Sequence, residues 1–226
     1  VAPRSLRVGR DLTAEERRTA VLRAAVECVA VSGYDNLRLR DVARAAGVST
    51  GLLQHYFETR DELVAEAFRQ ASEDLLQEWG VLLASNPPPW ERLDALVSQL
   101  ALREGLRTHC MVWVEFATAS ARIPSMREGF RSIYDKWYAL VRETVEDGTN
   151  AGIFTPVTSV PDVVELLLSH IDGCELNIAS DPEGMTGPRM RELTLRLAAT
   201  LLQYDGYDAA DGSTGSGARE VARSAP

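Results

Sequence analysis

Apolar positions along this chain recur every three or four residues, the spacing of a helix face, rather than every second residue as in a strand. Ala20, Val21, Ala24, Ala25, Cys28 and Val29 line one face of a first helix, opened by Thr13 and Glu16 as a capping box and ended by Ser32-Gly33. Leu39, Val42, Ala43 and Ala46 then fall at i, i+3, i+4 and i+7, and Gly47, free to take a positive φ, stops that second helix. Ser49 is the N-cap of a third, short helix in which Leu52, Leu53 and Phe57 point inward. Thr59 and Glu62 form a second capping box before a long helix that runs to about residue 84. Asn86-Pro87-Pro88-Pro89 breaks the chain, and further helices are predicted over about 90–104, 108–121, 125–150, 160–179 and 188–204. From Asp205 the sequence is rich in Gly, Ser and Asp without a period, which predicts a disordered tail. The pattern predicts an all-α fold: a flexible basic arm over 1–12, a three-helix unit with a helix-turn-helix over 13–58, a larger helical unit over 59–204, and the tail over 205–226.

Helix, tight glycine turn and helix is the plan whose second helix enters a DNA major groove. The outward residues of the third helix suit that role, since Thr50, Gly51, Gln54, His55 and Tyr56 offer small size, hydrogen-bonding groups or an aromatic hydroxyl. Gly51 costs roughly 1 kcal/mol against Ala within a helix, so a gain from close approach of the backbone to DNA is expected. Gln54 can pair with an adenine edge, and Thr50 can touch a thymine methyl or a phosphate. Ser49 opens the same helix. Arg38 and Arg40 at the start of the second helix, and Arg60 in the first turn of the long one, are candidates for phosphate contact. The bland alternative is a short surface helix whose polar residues are simply solvated.

The net charge of −9 argues against nucleic acid until it is divided along the chain. Residues 1–60 hold ten Arg against seven acids, +3, whereas residues 61–226 hold fourteen Arg and Lys against twenty-six acids, −12. A basic head on an acidic body tells which end faces phosphates. With 226 residues, 45% of them hydrophobic and 25% charged, one or two ordinary globular domains are expected. No apolar run reaches about 18 residues, and the first residues lack an apolar signal region, so a cytoplasmic location with no membrane partner is expected. Cys28, Cys110 and Cys174 are read as buried small hydrophobes in a reducing compartment. No G-x-S-x-G, H-E-x-x-H or P-loop occurs, and the scattered His and Cys have no ligand spacing. No catalytic residue, metal or cofactor is therefore assigned, and a helical enzyme without a recognisable motif remains as the alternative class.

The stretch GYDNLRLRDVARAAGVSTGLLQHYFETRDELVAEAF, Gly33 to Phe68, closely resembles the N-terminal DNA-binding domain of the TetR family of bacterial transcriptional regulators. The resemblance lies in Asp41-Val42-Ala43, then Ala46-Gly47-Val48-Ser49, then His55-Tyr56-Phe57, then Arg60 before Asp61-Glu62-Leu63. Two departures are Gln54, where a Tyr is common, and Arg60, where a Lys is usual. Both still donate hydrogen bonds. The middle and C-terminal segments, including Ile171-Asp172-Gly173, resemble the BetI-like branch of that family. The resemblance implies a homodimer that reads a pseudo-palindromic operator in double-stranded DNA, most often as a repressor, and is released by a small-molecule effector. It also implies that the long helix after Thr59 shifts the reader, and that the effector is choline-like.

Trp113, Phe116, Tyr134, Trp137 and Tyr138 lie on two consecutive predicted helices of the acidic unit, with His109, Glu115, His170 and Asp172 as polar groups nearby. If these faces converge they line an apolar site, and rings beside carboxylates favour an organic cation. A neutral or anionic hydrophobic ligand is the alternative, as is a plain aromatic core. The last two predicted helices are apolar on more than one side. Val163, Leu167 and Ile171 in one and Leu193, Leu197 and Leu201 in the other are therefore the expected dimer contacts, a fully internal pair being the alternative.

Overall fold

A computed structural model of the protein describes residues 13–207. Every regular element among the described residues is an α-helix: α1 (Ala14–Ser32), α2 (Leu39–Ala46), α3 (Thr50–Tyr56), α4 (Arg60–Leu83), α5 (Pro89–Ala101), α6 (Leu106–Arg122), α7 (Pro124–Asn150), α8 (Val160–Ser180) and α9 (Gly187–Leu202). The basic arm over 1–12 and the tail from residue 208 onward lie outside the described residues. Tyr207, within the stretch read as tail, has its ring 5.5 Å from Trp90, next to Tyr204, which stacks on Trp90 at 4.3 Å. No helix among the described residues is long and apolar enough to cross a membrane.

The caps follow the sequence closely. At α1, the Glu16 N–H donates to Thr13 Oγ1 at 3.2 Å and the Thr13 N–H to Glu16 Oε2 at 2.7 Å, the two halves of a capping box. At α4 only one half is made: the Glu62 N–H donates to Thr59 Oγ1 at 3.1 Å, but the Glu62 carboxylate reaches one residue farther, to the Glu58 N–H at 2.8 Å. Gly47 takes φ 68° and ψ 26°, the left-handed conformation that ends α2, and its N–H serves the carbonyls of Ala43 and Arg44. The Leu52 N–H donates to Ser49 Oγ at 3.1 Å, so α3 starts where its cap residue dictates.

The reader formed by α1 to α3 shares its core with the body. Val21, Val42, Leu53, Phe57 and Leu63 are fully buried in one apolar cluster that also takes in Phe68 of α4, Val112 and Phe116 of α6, and Met126 and Ile133 of α7. A second cluster centres on Trp90 among α5, α7, α8 and α9, and a third on Trp79 between α4, α5, α6 and α8. Partly buried ion pairs tie the body's outer helices. Arg92 of α5 meets Asp147 of α7 at 2.7 Å, and Arg191 of α9 meets Asp94 of α5 at 2.6 Å.

The expected dimer face of α8 is corrected by about a third of a turn. Val163, Leu167 and Ile171 are 0%, 2% and 7% exposed and face this chain's own core, whereas Leu166 and Leu176 are 49% and 52% exposed. Helix α8 has apolar residues on more than one side, Leu166 to Leu168 in succession, so its period alone does not say which stripe the body claims. On α9, Leu193, Leu197 and Leu201 are half-buried.

Phe57 is fully buried beneath α1, with the Arg18 guanidinium 5.4 Å from its ring centre. Truncating it opens a cavity in the reader. Phe57→Ala is expected to cost about 3–5 kcal/mol of folding stability, read as a lowered urea midpoint with an unchanged slope.

Candidate functional site

Helix α3 turns one face inward and leaves the other bare. Leu53 is fully buried, and Ser49, Thr50, Gly51, Gln54 and His55 are exposed. A Cβ added at Gly51 would meet nothing within 4 Å, so the fold itself does not require glycine there. The cost of Gly51 to the helix is therefore not recovered by packing inside the chain. Arg38 and Arg40 are exposed on the same side of the turn, with Arg40 held only loosely by Asp41 at 3.9 Å.

Two candidates sit differently from the outward reading. Tyr56 is half-buried, and its hydroxyl donates to the Ala14 carbonyl at 3.4 Å, because position 56 follows Leu53 by three residues and falls at the edge of the buried stripe. Arg60 folds back over the Tyr34 ring, 4.6 Å from its centre, and donates to the Asp35 carbonyl at 3.1 Å. The α1–α2 turn thus engages its guanidinium, which the length of the side chain makes possible.

The body holds a small, partly open cavity of about 30 Å³. Ser72 and Leu75 of α4, His109 and Trp113 of α6, Ile133, Tyr134 and Trp137 of α7, and Leu168, Ile171, Asp172 and Glu175 of α8 line it. The structure thus brings together His109, Trp113, Tyr134, Trp137 and Asp172 of the sequence candidates. Phe116, Tyr138 and His170 are not in the wall. Phe116 turns toward the reader and stacks on Phe68 at 3.5 Å, Tyr138 packs against the Trp90 cluster, and His170 turns to Cys174 at 3.6 Å.

Aromatic contacts set the wall's form. Trp113 stacks on Phe130 at 5.0 Å, and Trp137 stands edge-on to Trp79 at 3.9 Å. The Trp113 indole N–H donates to Asp172 Oδ1 at 3.2 Å, which aims the carboxylate across the cavity. Burial, then the nearby Glu175, push the Asp172 carboxyl up to about 6, against the lowering effect of the indole bond. Tyr134 is raised for the same first reason, burial, with Asp172 and Glu165 adding to it.

Glu175, 3% exposed, is the charged wall residue that the sequence did not single out. The available signal was an acid three residues after Asp172 in the same helix. Its Oε1 lies 3.5 Å from His109 Nε2, while Arg103 Nη1 lies 3.3 Å from His109 Nδ1. Arginine can only donate, so Nδ1 accepts and the ring proton sits on Nε2, facing Glu175. Half-buried Asp172 and buried Glu175 therefore meet one indole N–H and one imidazole N–H, and the residues that line the cavity include neither Lys nor Arg. Nearby Cys110 is pushed up to about 12, by burial first and Glu175 second, so it stays a thiol. Among the described residues no group of His, Cys, Asp and Glu is arranged to hold a metal.

Comparison with known proteins gives these two sites a context. Residues 21–67 match the model of bacterial regulatory proteins of the tetR family, and residues 89–203 match the model of the BetI-type transcriptional repressor C-terminal region. The HTH-type transcriptional regulator PksA of Bacillus subtilis is 24% identical over 192 residues, spanning 84% of this chain and 92% of its own. The HTH-type transcriptional regulator BetI of Agrobacterium fabrum is 36% identical over 81 residues, 36% of this chain and 39% of its own. A protein from Saccharomonospora viridis solved in complex with choline aligns with a TM-score of 0.73 at 26% identity, covering 80% of this chain and 94% of that one. An exposed helix on a glycine turn, carried by a helical body with a small internal cavity, is thus found in a chain that belongs to the TetR family of bacterial transcriptional regulators, with a BetI-type C-terminal half.

Proposed function

We propose that this regulator is a dimeric repressor that leaves its operator when an organic cation enters the body. The observation that carries the reading is the pair of carboxylates, half-buried Asp172 and buried Glu175, in a wall made mostly of aromatic and aliphatic side chains. A quaternary or protonated amine supplies the charge that wall lacks, and Trp113, Tyr134 and Trp137 offer ring faces to it. An anionic ligand would meet two carboxylates instead. Choline in the Saccharomonospora viridis relative supports the same class. The cavity is small, about 30 Å³, so a ligand widens it by parting the helices around it. That parting is the switch. Its DNA partner puts the protein in the cytoplasm.

On the DNA side, Gln54 and Thr50 of each subunit read base edges in successive major grooves, Gly51 lets the backbone approach closely, and Arg38 and Arg40 hold phosphates. With an operator duplex selected from random sequences, affinity falls linearly on a log-log plot against salt. Gln54→Ala loses about tenfold and relaxes preference at one base pair, by the roughly 1–3 kcal/mol of a bidentate contact. An unchanged base preference in Gln54→Ala removes this assignment.

Cation binding needs Asp172 ionised. Because burial holds its carboxyl at about 6, the group is mostly protonated at pH 5 and mostly charged at pH 7. Choline affinity measured by calorimetry is expected to rise about tenfold over that interval and level off above it. Asp172→Asn abolishes both the binding and its pH dependence. Stabilisation by fatty acids but not by choline in a thermal-shift comparison would favour the other ligand class.

The exposed stripe of Leu166 and Leu176 on α8, flanked by α9, is the surface we assign to the two-fold interface. The double substitution Leu166→Asp and Leu176→Asp is expected to give a monomer in sedimentation at micromolar concentration, with operator affinity down by a hundredfold or more. A native chain that sediments as a monomer refutes the dimer.

A further inference from the structure

Two helices both line the cavity and end on the reader. Helix α4 gives Ser72 and Leu75 to the cavity and begins with Arg60 and Asp61 beside the α1–α2 turn, and α6 gives His109 and Trp113 and also carries Glu115. Both meet at Tyr34, which is 2% exposed. From α4, Asp61 Oδ1 accepts the Tyr34 hydroxyl at 2.7 Å and Arg60 covers the ring. From α6, Glu115 Oε2 accepts the Tyr34 backbone N–H at 2.9 Å. Gly33 leaves the room for this: its φ is +74°, and a Cβ there would lie 3.3 Å from Glu115 Oε1.

We propose that Glu115 is the positioning residue of the ligand response: it holds the Tyr34 amide from α6 while Asp61 holds the Tyr34 hydroxyl from α4. Any separation of α4 from α6 at the cavity then becomes a pull on the α1–α2 turn. This rests on the proposed ligand switch and names the joint through which it acts.

The physical reason is that a buried N–H must follow its acceptor or go unpaired. Tyr34 is 2% exposed and Glu115 is the acceptor of its N–H, so the turn follows α6 when α6 moves. At its other end the phenol is pushed up to about 12 by burial and by the Asp61 carboxylate, so it remains a donor at any working pH. Val29, Phe68 and Val112 line a narrow apolar crevice beside the contact. The turn leads directly into α2, and α2 leads through Gly47 into the reading helix. A displacement at Tyr34 is therefore a displacement of α3.

Ser72→Phe, which puts a ring into the cavity from α4, serves as the probe and needs no ligand. Operator affinity is measured with and without it in a double-mutant cycle. In the otherwise native chain Ser72→Phe is expected to weaken operator binding tenfold or more. In a Glu115→Leu background the loss falls below threefold, while in Glu115→Gln, whose amide oxygen can still accept the Tyr34 N–H, it stays near tenfold. Tyr34→Phe, which frees the α4 end, also lowers the loss and decides the matter if Glu115→Leu does not fold. A merely structural role for Glu115 would change both affinities and leave their ratio alone. Equal ratios in the native, Glu115→Leu and Tyr34→Phe backgrounds overturn the proposal, as does a Ser72→Phe chain that binds the operator normally. Choline titration of the native chain is read separately: no binding there sinks the cation reading and leaves the cycle's result on Glu115 intact.

Discussion

A three-helix reader of roughly fifty residues buries too little surface to be stable by itself with much margin. In this chain the deficit is made up by the body: Phe68 of α4 stacks on Phe116 of α6, and both stand in the same apolar cluster as Val21, Val42 and Leu53 of the reader. The reader consequently has no independent orientation. Where α4 and α6 go, it goes, because close-packed side chains have a few discrete arrangements rather than a continuum. The shared core is what lets a small molecule in the body act on a helix in a DNA groove.

The cavity shows a cost accepted for function. Burying Asp172 raises its carboxyl, so the folded chain binds that proton more tightly than the unfolded chain does. Stability is therefore lost as pH rises from about 4 to about 6, and the penalty is fully present at neutral pH. Glu175, more deeply buried, adds a second acid to the same wall. A core designed only for stability would hold leucines there. In the proposed reading a cation relieves the penalty in the parted state and not in the closed one, and that difference is the free energy available to shift the population.

Local chemistry makes most of the fold legible in the chain itself. Thr13, Ser49 and Thr59 cap the helices they head, Gly47 takes the left-handed turn, and helix limits from apolar period and proline breaks fall within a few residues of those observed. What stays hidden depends on contacts between distant segments. Periodicity does not choose between Leu166 and Leu167 as the outward position of a helix with three leucines in succession. Ser72 and Leu75 are ordinary residues of a connecting helix until α8 is laid against them. Arg60 carries a charge that suits phosphate, yet its length lets it close on Tyr34, and only the position of the α1–α2 turn decides between the two. Glu115 reads as one of the polar groups of the body, and its partner lies eighty-one positions away in the chain.

A charge-based explanation of the switch, in which a bound cation alters the field felt by DNA, can be set against the mechanical one. Along α4 the distance from Ser72 to Arg60 is about 18 Å at 1.5 Å per residue, and the reading face lies beyond that. At physiological salt the screening length is about 8 Å, so one enclosed charge contributes little at an exposed surface more than two such lengths away. Its sign also works the wrong way: adding positive charge to an acidic body reduces its repulsion of phosphates and would tighten operator binding. The proposed release by a cation therefore has to travel through packing, and the two helices that run from the cavity to Tyr34 are the route that the hydrogen bonds and the shared core provide.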